Sequence, residues 1–389
     1  MADYERMAKN IRQHFNFSWE PFWQSYVTPT MPAFRAFQCI LFGESLLAWR
    51  YFQTIILFAG ALWLAYEIFK ISLSTWLALG FFLIVSLSKP SIFWSLKVAR
   101  ESLAEAFIYI TIASSFASFR TSRKIYFLFT GIFFGLSLLN RPNFFLAIPA
   151  FVLLILIVNI FSKEQNKKLQ TAKITFGYLA AFLLGLALIW GPWVLHTYKL
   201  YGHPVLLSTQ APYSFFWEHG EQTISDDNGE TIKFSTQTLQ AEAGSKFKND
   251  YQAYVYGNYL VRKWLKTNWR YFLSRIPLNI EKSLTDSNIS LTKVSRDKLF
   301  SDWRNNILID KTSFLMCCGI IGFFLWSWRM SLWCLSLPII SILPWINGAI
   351  MISYPRMFEP SITIILFGNL LLLHYIKLFC SKYFLLKSK

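Results

Sequence analysis

Long apolar runs separated by short cationic turns fill most of the chain, and no other feature narrows its fold so far. The runs fall at 46–69, 73–87, 107–119, 125–139, 144–161, 174–193, 314–328, 332–352 and 362–378. Inside hydrocarbon no water can satisfy backbone amides, so runs of this kind are helices, each close to what a bilayer crossing needs. Composition agrees. The chain is 54% hydrophobic, 19% aromatic and only 15% charged, with mean hydropathy +0.37, outside the range of a soluble single-core domain. The expected class is therefore an all-α polytopic membrane protein of about nine spans.

The net charge of +17, from 38 basic and 21 acidic residues, sits mostly in the short turns. That is the signature of cytoplasmic loops, not of a nucleic-acid-binding stripe, and the lipid bilayer replaces nucleic acid as the expected partner. Placing Lys70, Arg120, Arg123, Lys124, the lysines of 163–173, Arg329 and the C-terminal lysines inside leaves a consistent outer side. There lie residues 1–43, Glu101, Arg141, a loop over 198–310 and the turn at 354–359. The five cysteines, at 39, 317, 318, 334 and 380, have no metal-ligand spacing and imply no disulfide framework.

Residues 1–43, with Trp19, Pro21, Trp23, Tyr26 and the Pro29/Pro32 breaker, predict an irregular segment with short amphipathic helices at the interface and no spanning helix. An outside start without a preceding helix leads us to expect a further helix upstream. Gly191-Pro192 is expected to end or kink the crossing at 174–193. In the loop, 251–284 interleaves Tyr and Trp with Arg262, Lys263, Lys266, Arg270 and Arg275, as amphipathic helices on a membrane face would. Three parts follow: an external segment plus transmembrane catalytic module (1–200), an extracytoplasmic loop domain (201–310) and C-terminal helices (311–389).

Two outer positions invite chemistry. Glu101 heads a membrane-length helix; a charge in hydrocarbon costs about 2.5–3.5 kcal/mol on insertion scales, so such an acid is either functional or a partner for the helix dipole. Arg141, in the turn Asn140-Arg141-Pro142-Asn143, either grips an anion bidentately or snorkels to headgroups.

With these positions in place, the chain resembles the GT-C class of polyprenyl-phosphate-sugar-dependent glycosyltransferases, the group that includes protein O-mannosyltransferases and aminoarabinose transferases of lipid A. The likeness rests on Tyr4-Glu5-Arg6-Met7, the run at 32–53 with Leu41-Phe42-Gly43-Glu44, Arg100-Glu101-Ser102-Leu103 and Asn140-Arg141-Pro142. Gly191-Pro192-Trp193 through Leu207-Ser208-Thr209, and Tyr354-Pro355-Arg356 with Glu359-Pro360, complete it. Order and common sidedness carry the likeness; no single motif does.

The resemblance implies a GT-C-like helix bundle with a large extracytoplasmic loop. It implies transfer of a sugar from a polyprenyl-phosphate donor to a glycan, lipid or protein acceptor on the outer face of a bacterial inner membrane. Glu101 is the implied catalytic acid. The family's base in the first external loop would fall about four residues before Tyr4, and Asp3 is the nearest substitute. Arg141, with Arg50 and Arg356, would hold phosphate, and Tyr4 and His196 would line the substrate site; Arg50 and Arg356 equally suit interfacial anchors, and His196 a structural hydrogen-bonding role. A divalent cation would fit where two carboxylates meet; one secure acid is in view, and no cofactor is assigned. The alternative is a truncated, non-catalytic scaffold or a glycolipid transporter.

Overall fold

The computed structural model describes residues 2–18, 20–160, 168–219, 222–225, 231–285, 312–351 and 359–387. Two 13-residue helices, α1 (Ala2–His14) and α2 (Thr30–Phe42), lead into α3 (Leu46–Ser72), α4 (Thr75–Leu87) and α5 (Lys89–Ser95). Next come α6 (Glu101–Thr121), α7 (Lys124–Asn140), a 3-10 turn at Pro142–Leu146, α8 (Ala147–Ile160) and α9 (Lys168–Tyr201). The large loop holds α10 (Ala211–His219), an antiparallel hairpin pairing Gln222–Ser225 with Thr231–Phe234, α11 (Thr236–Lys246) and α12 (Asp250–Thr285). The helices α13 (Thr312–Arg329), α14 (Ser336–Met351) and α15 (Glu359–Lys387) follow. Apart from the hairpin and the connecting segments the described residues are helical, and the described part of each apolar run falls mostly on a helix.

Four segments are long and apolar enough to cross a membrane by themselves: Leu46–Ser72, Glu101–Thr121, Lys173–Tyr201 and Thr363–Cys380. Shorter apolar helices at Thr75–Leu87, Lys124–Asn140, Pro142–Val158 and Leu332–Pro344 accompany them. Among the four, α6 is the axle. Its apolar window is 94% buried, against 22–39% for the others, so α6 faces protein where the others show Leu, Ile and Phe outward.

The sequence of α6 explains its place. Ala104, Ala106, Ala113 and Ala117 let neighbours approach closely. In its middle and far turns hydroxyls are satisfied by the helix's own carbonyls: Thr111 donates to Phe107 O (2.6 Å), Ser114 to Thr111 O (3.0 Å) and Ser118 to Ser114 O (2.6 Å). Hydroxyl contacts also reach out: Ser115 to Ser336 on α14 (2.9 Å), and Thr130 on α7 to Ser114 (3.1 Å) and Ser118 (3.3 Å). At the far end Arg120 grips buried Glu67 of α3 through two bonds of 2.9 Å. A cation next to this carboxylate is what makes its burial tolerable.

Glycines let α7 and α9 cross closely. A Cβ at Gly131 would lie 2.0 Å from Phe182 O and one at Gly185 would lie 2.1 Å from Leu128 O, so α7 and α9 touch backbone to backbone.

The loop has its own core of Tyr213, Phe215, Phe216, Leu239, Leu260 and Trp264, against which Phe22, Trp23 and Tyr26 of the N-terminal segment pack. Asp250 joins the pieces. Fully buried, it accepts from Ser25 N (2.9 Å), Ser25 Oγ (3.4 Å), Tyr201 OH (2.7 Å) and Thr209 Oγ1 (3.0 Å).

Of the two outcomes expected at Gly191-Pro192, an end or a kink, the end does not occur: α9 continues through Pro192 to Tyr201. Its last turns are held by the returning strand of chain: Trp193 Nε1 donates to Leu207 O (2.8 Å), Trp190 Nε1 to Leu206 O (2.6 Å), and Thr197 Oγ1 accepts from Val205 N (3.1 Å). These contacts offset the hydrogen bond that proline removes. The segment at 251–284 forms one long helix, bent where Asn268 leaves helical geometry (φ −115°, ψ 19°). Along it Lys263, Arg270 and Arg275 lie 5.4–5.9 Å over the rings of Tyr259, Trp269 and Tyr271.

Candidate functional site

The turn that delivers the chain to Glu101 is pinned by the first turns of α3. Gln53 Nε2 donates to Lys97 O (2.9 Å) and to Ser95 O, Trp49 Nε1 to Lys97 O (3.4 Å), and Arg50 Nε to Leu96 O (3.0 Å). From the opposite side, Asn140 Nδ2 donates to the carbonyl of Arg100 (3.0 Å) and Thr28 Oγ1 to the carbonyl of Asn140 (3.3 Å). Two turns distant in sequence, 96–100 and 140–142, are thereby fastened to each other.

That fastening brings Arg141 to Glu101. Arg141 Nη2 lies 3.3 Å from Glu101 Oε1, and the two side chains are 5% and 4% exposed. One helical turn deeper, Glu105 accepts from Ser91 Oγ (2.7 Å), Tyr109 OH (2.5 Å) and Thr363 Oγ1 (3.4 Å), and it interacts electrostatically with Arg141. A guanidinium thus serves two carboxylates on one face of α6. Glu105 also ties α5 and the start of α15 to this point.

The remaining candidates scatter. Tyr4 packs on the cluster of Met31, Trp49, Val98, Leu103 and Phe107, and lies within electrostatic reach of Arg100. Asp3 stands in α1, but its side chain lies outside the described residues, as does all of Arg356. Arg50 is exposed and holds the Leu96 carbonyl, which places it in the scaffold of the turn. His196 stacks on Trp193 (5.7 Å) and meets the edge of Phe17 (5.4 Å). Glu5 of the same N-terminal helix is engaged by Arg35, whose Nε reaches both carboxylate oxygens at 3.0 and 3.1 Å.

Tyr26 overlooks the cluster from the N-terminal segment. Burial pushes its phenol above the ordinary value, opposed by hydrogen bonds with Gln240 and Gln210 and by the charge of Arg100. It stays a neutral hydroxyl, able to donate.

Among the described residues no group of three or more His, Cys, Asp or Glu side chains converges as metal ligands. Glu101 is served by the Arg141 guanidinium, and Glu105 by the hydroxyls of Ser91, Tyr109 and Thr363 together with the charge of Arg141.

Sequence reasoning passed over three residues. Glu105 was within reach, since i and i+4 share a helix face. Arg100 adjoins Glu101. Asp250 gave no signal, because Ser25, Tyr201 and Thr209 converge on it only in three dimensions.

A buried helix carrying acids at one mouth, packed among apolar helices and followed by a large loop, is the layout of an all-α polytopic membrane protein. The whole chain aligns with the crystal structure of the Archaeoglobus fulgidus oligosaccharyltransferase in its apo form, at a TM-score of 0.51 and 14% identity. The alignment covers 100% of this chain and 48% of that one, so the chain spans about half the length of its structural neighbour. No family model and no curated sequence matches.

Proposed function

We propose that the protein transfers a sugar from a polyprenyl-phosphate donor to a hydroxyl of a glycan, lipid or protein acceptor, at the extracytoplasmic face of a bacterial inner membrane. The observation that carries this is the buried Glu101–Arg141 pair, 3.3 Å apart at the mouth of the central helix, in a fold shared with an oligosaccharyltransferase. In the reaction the acceptor oxygen bonds to the anomeric carbon while that carbon's bond to the phosphate oxygen breaks. The hydroxyl proton passes to a carboxylate, and polyprenyl phosphate leaves. Glu101 orients the hydroxyl or takes its proton, sharing this work with an N-terminal acid, for which Asp3 is the candidate. Cationic guanidinium stabilises the charge that grows on the leaving phosphate. The exposed Tyr259, Trp269 and Tyr271 of α12 suit a place at the membrane surface.

The test is reconstitution of the full chain in proteoliposomes with a polyprenyl-phosphate donor carrying a radiolabelled sugar and a panel of acceptors. Labelled product on an acceptor supports the proposal. Movement of the intact donor between leaflets without any transfer would replace it with the transporter reading.

A further inference from the structure

The arginines near the mouth of α6 are not equivalent. Arg35 is paired with Glu5, Arg141 with Glu101, and Arg50 with the Leu96 carbonyl. Arg100 differs: among the described residues its guanidinium has no ion-pair or hydrogen-bond partner, and it is half-buried. It caps the N-terminus of the 21-residue helix α6 without a side-chain hydrogen bond to it. Its electrostatic neighbours are Tyr4, Tyr26 and Glu101. Of these, Glu101 is already answered by Arg141, and the other two are tyrosine side chains with a hydroxyl to offer. In the first turn of the same helix the hydroxyl of Ser102, 0% exposed, also has no partner among the described residues.

An unanswered cation, donor hydroxyls and a helix N-terminus together are complementary to an anion with several acceptor oxygens, the chemistry of a phosphate ester. We propose that Arg100 is the residue that binds the phosphate of an isoprenoid phosphate, with the Tyr4 and Tyr26 hydroxyls as further donors, while Arg141 positions Glu101. This rests on the donor class proposed above and assigns its phosphate to a different arginine. The geometry supplies the reason: a guanidinium held by a buried carboxylate has fewer donors to offer, whereas Arg100 offers its whole fork.

The experiment measures binding to the purified full-length chain in detergent by isothermal titration. Three probes are used: farnesyl phosphate, inorganic phosphate, and phosphatidylglycerol presented in nanodiscs. Wild type should bind farnesyl phosphate tightest. Arg100→Gln should weaken it about 10- to 100-fold, the range for losing charge-assisted hydrogen bonds, with Arg100→Lys between the two. The lysine variant, which keeps the charge, decides the matter where the glutamine variant does not fold. Tyr4→Phe, which keeps the ring, should weaken binding severalfold.

Equal binding by wild type and both Arg100 variants would overturn the proposal. So would inorganic phosphate binding as tightly as farnesyl phosphate, the mark of a free-phosphate site, or Arg100-dependent preference for phosphatidylglycerol, the mark of a headgroup site. Sugar transfer that persists with unaltered farnesyl phosphate binding in the variants removes this inference alone. Arg100-dependent binding in a protein that transfers no sugar removes the proposed function and leaves the inference standing.

Discussion

Replacing Asp250 should loosen the N-terminal segment from the loop without disturbing the helix bundle. The carboxylate is 0% exposed and receives donors from three separate stretches of chain, through Ser25, Tyr201 and Thr209. Hydrogen bonds to a charged group contribute about 1.5–3 kcal/mol each, and a buried donor left unmet costs about 1–3 kcal/mol. The contributions are not additive because Tyr201 OH also contacts Ser25 Oγ at 2.9 Å and can keep that bond. Asp250→Ala should therefore cost roughly 3–6 kcal/mol locally, and Asp250→Asn, which keeps one acceptor, about half as much. The direct readout is amide hydrogen exchange at Ser25 and Thr209, whose N–H groups bond Asp250 Oδ2 and Ser25 O respectively. A loss of 3 kcal/mol in opening free energy should accelerate both amides by about 150-fold in Asp250→Ala, while amides of α6 keep their protection. Unchanged exchange at Ser25 and Thr209 would refute the idea that this carboxylate holds the two parts together.

Arg141→Ala should destabilise the chain by about 3–5 kcal/mol because it removes the guanidinium paired with buried Glu101, and Glu101→Gln in the same background should recover much of it; a double-mutant cycle by chemical unfolding in detergent measures both. Gly131→Ala and Gly185→Ala each place a methyl about 2 Å from a carbonyl oxygen of the facing helix, so each should lower stability by about 1–3 kcal/mol or more, read as a lower melting temperature in detergent. The hydrogen bond from Arg12 holds the Glu44 carboxyl below its usual range. The contribution of this contact to docking α1 is present above the unfolded-state value and is lost as pH falls through the lowered one. Titration of isotope-labelled Glu44 by NMR should show the low midpoint, and Arg12→Gln should return it to the ordinary range.

Most of the helical architecture was legible because hydrocarbon forces each long apolar run into a helix. The stop allowed at Pro192 does not occur, because a local breaker rule cannot see Trp190, Trp193 and Thr197 fastening the same helix to residues 205–207. The candidate site was legible only as sidedness. Glu101 and Arg141 could be put on one side from the cationic turns, but their contact is made by Gln53, Trp49, Asn140 and Thr28 holding two distant turns together. Nothing in the local sequence around any of these four announces that job. The division of labour among arginines was hidden for the same reason: which guanidinium is spoken for depends on where Glu5, Glu44 and Glu101 end up.

The central claim is that a carboxylate and a guanidinium at the mouth of α6 form a centre for sugar transfer. The most direct measurement is the single-turnover rate of transfer from a polyprenyl-phosphate-linked sugar by the full-length protein, compared with folded Glu101→Gln and Arg141→Lys variants. The account predicts that Glu101→Gln loses at least about 100-fold in rate, as removal of a proton-accepting group does, and that Arg141→Lys slows transfer with farnesyl phosphate binding largely kept. Wild-type rates in both variants would contradict it.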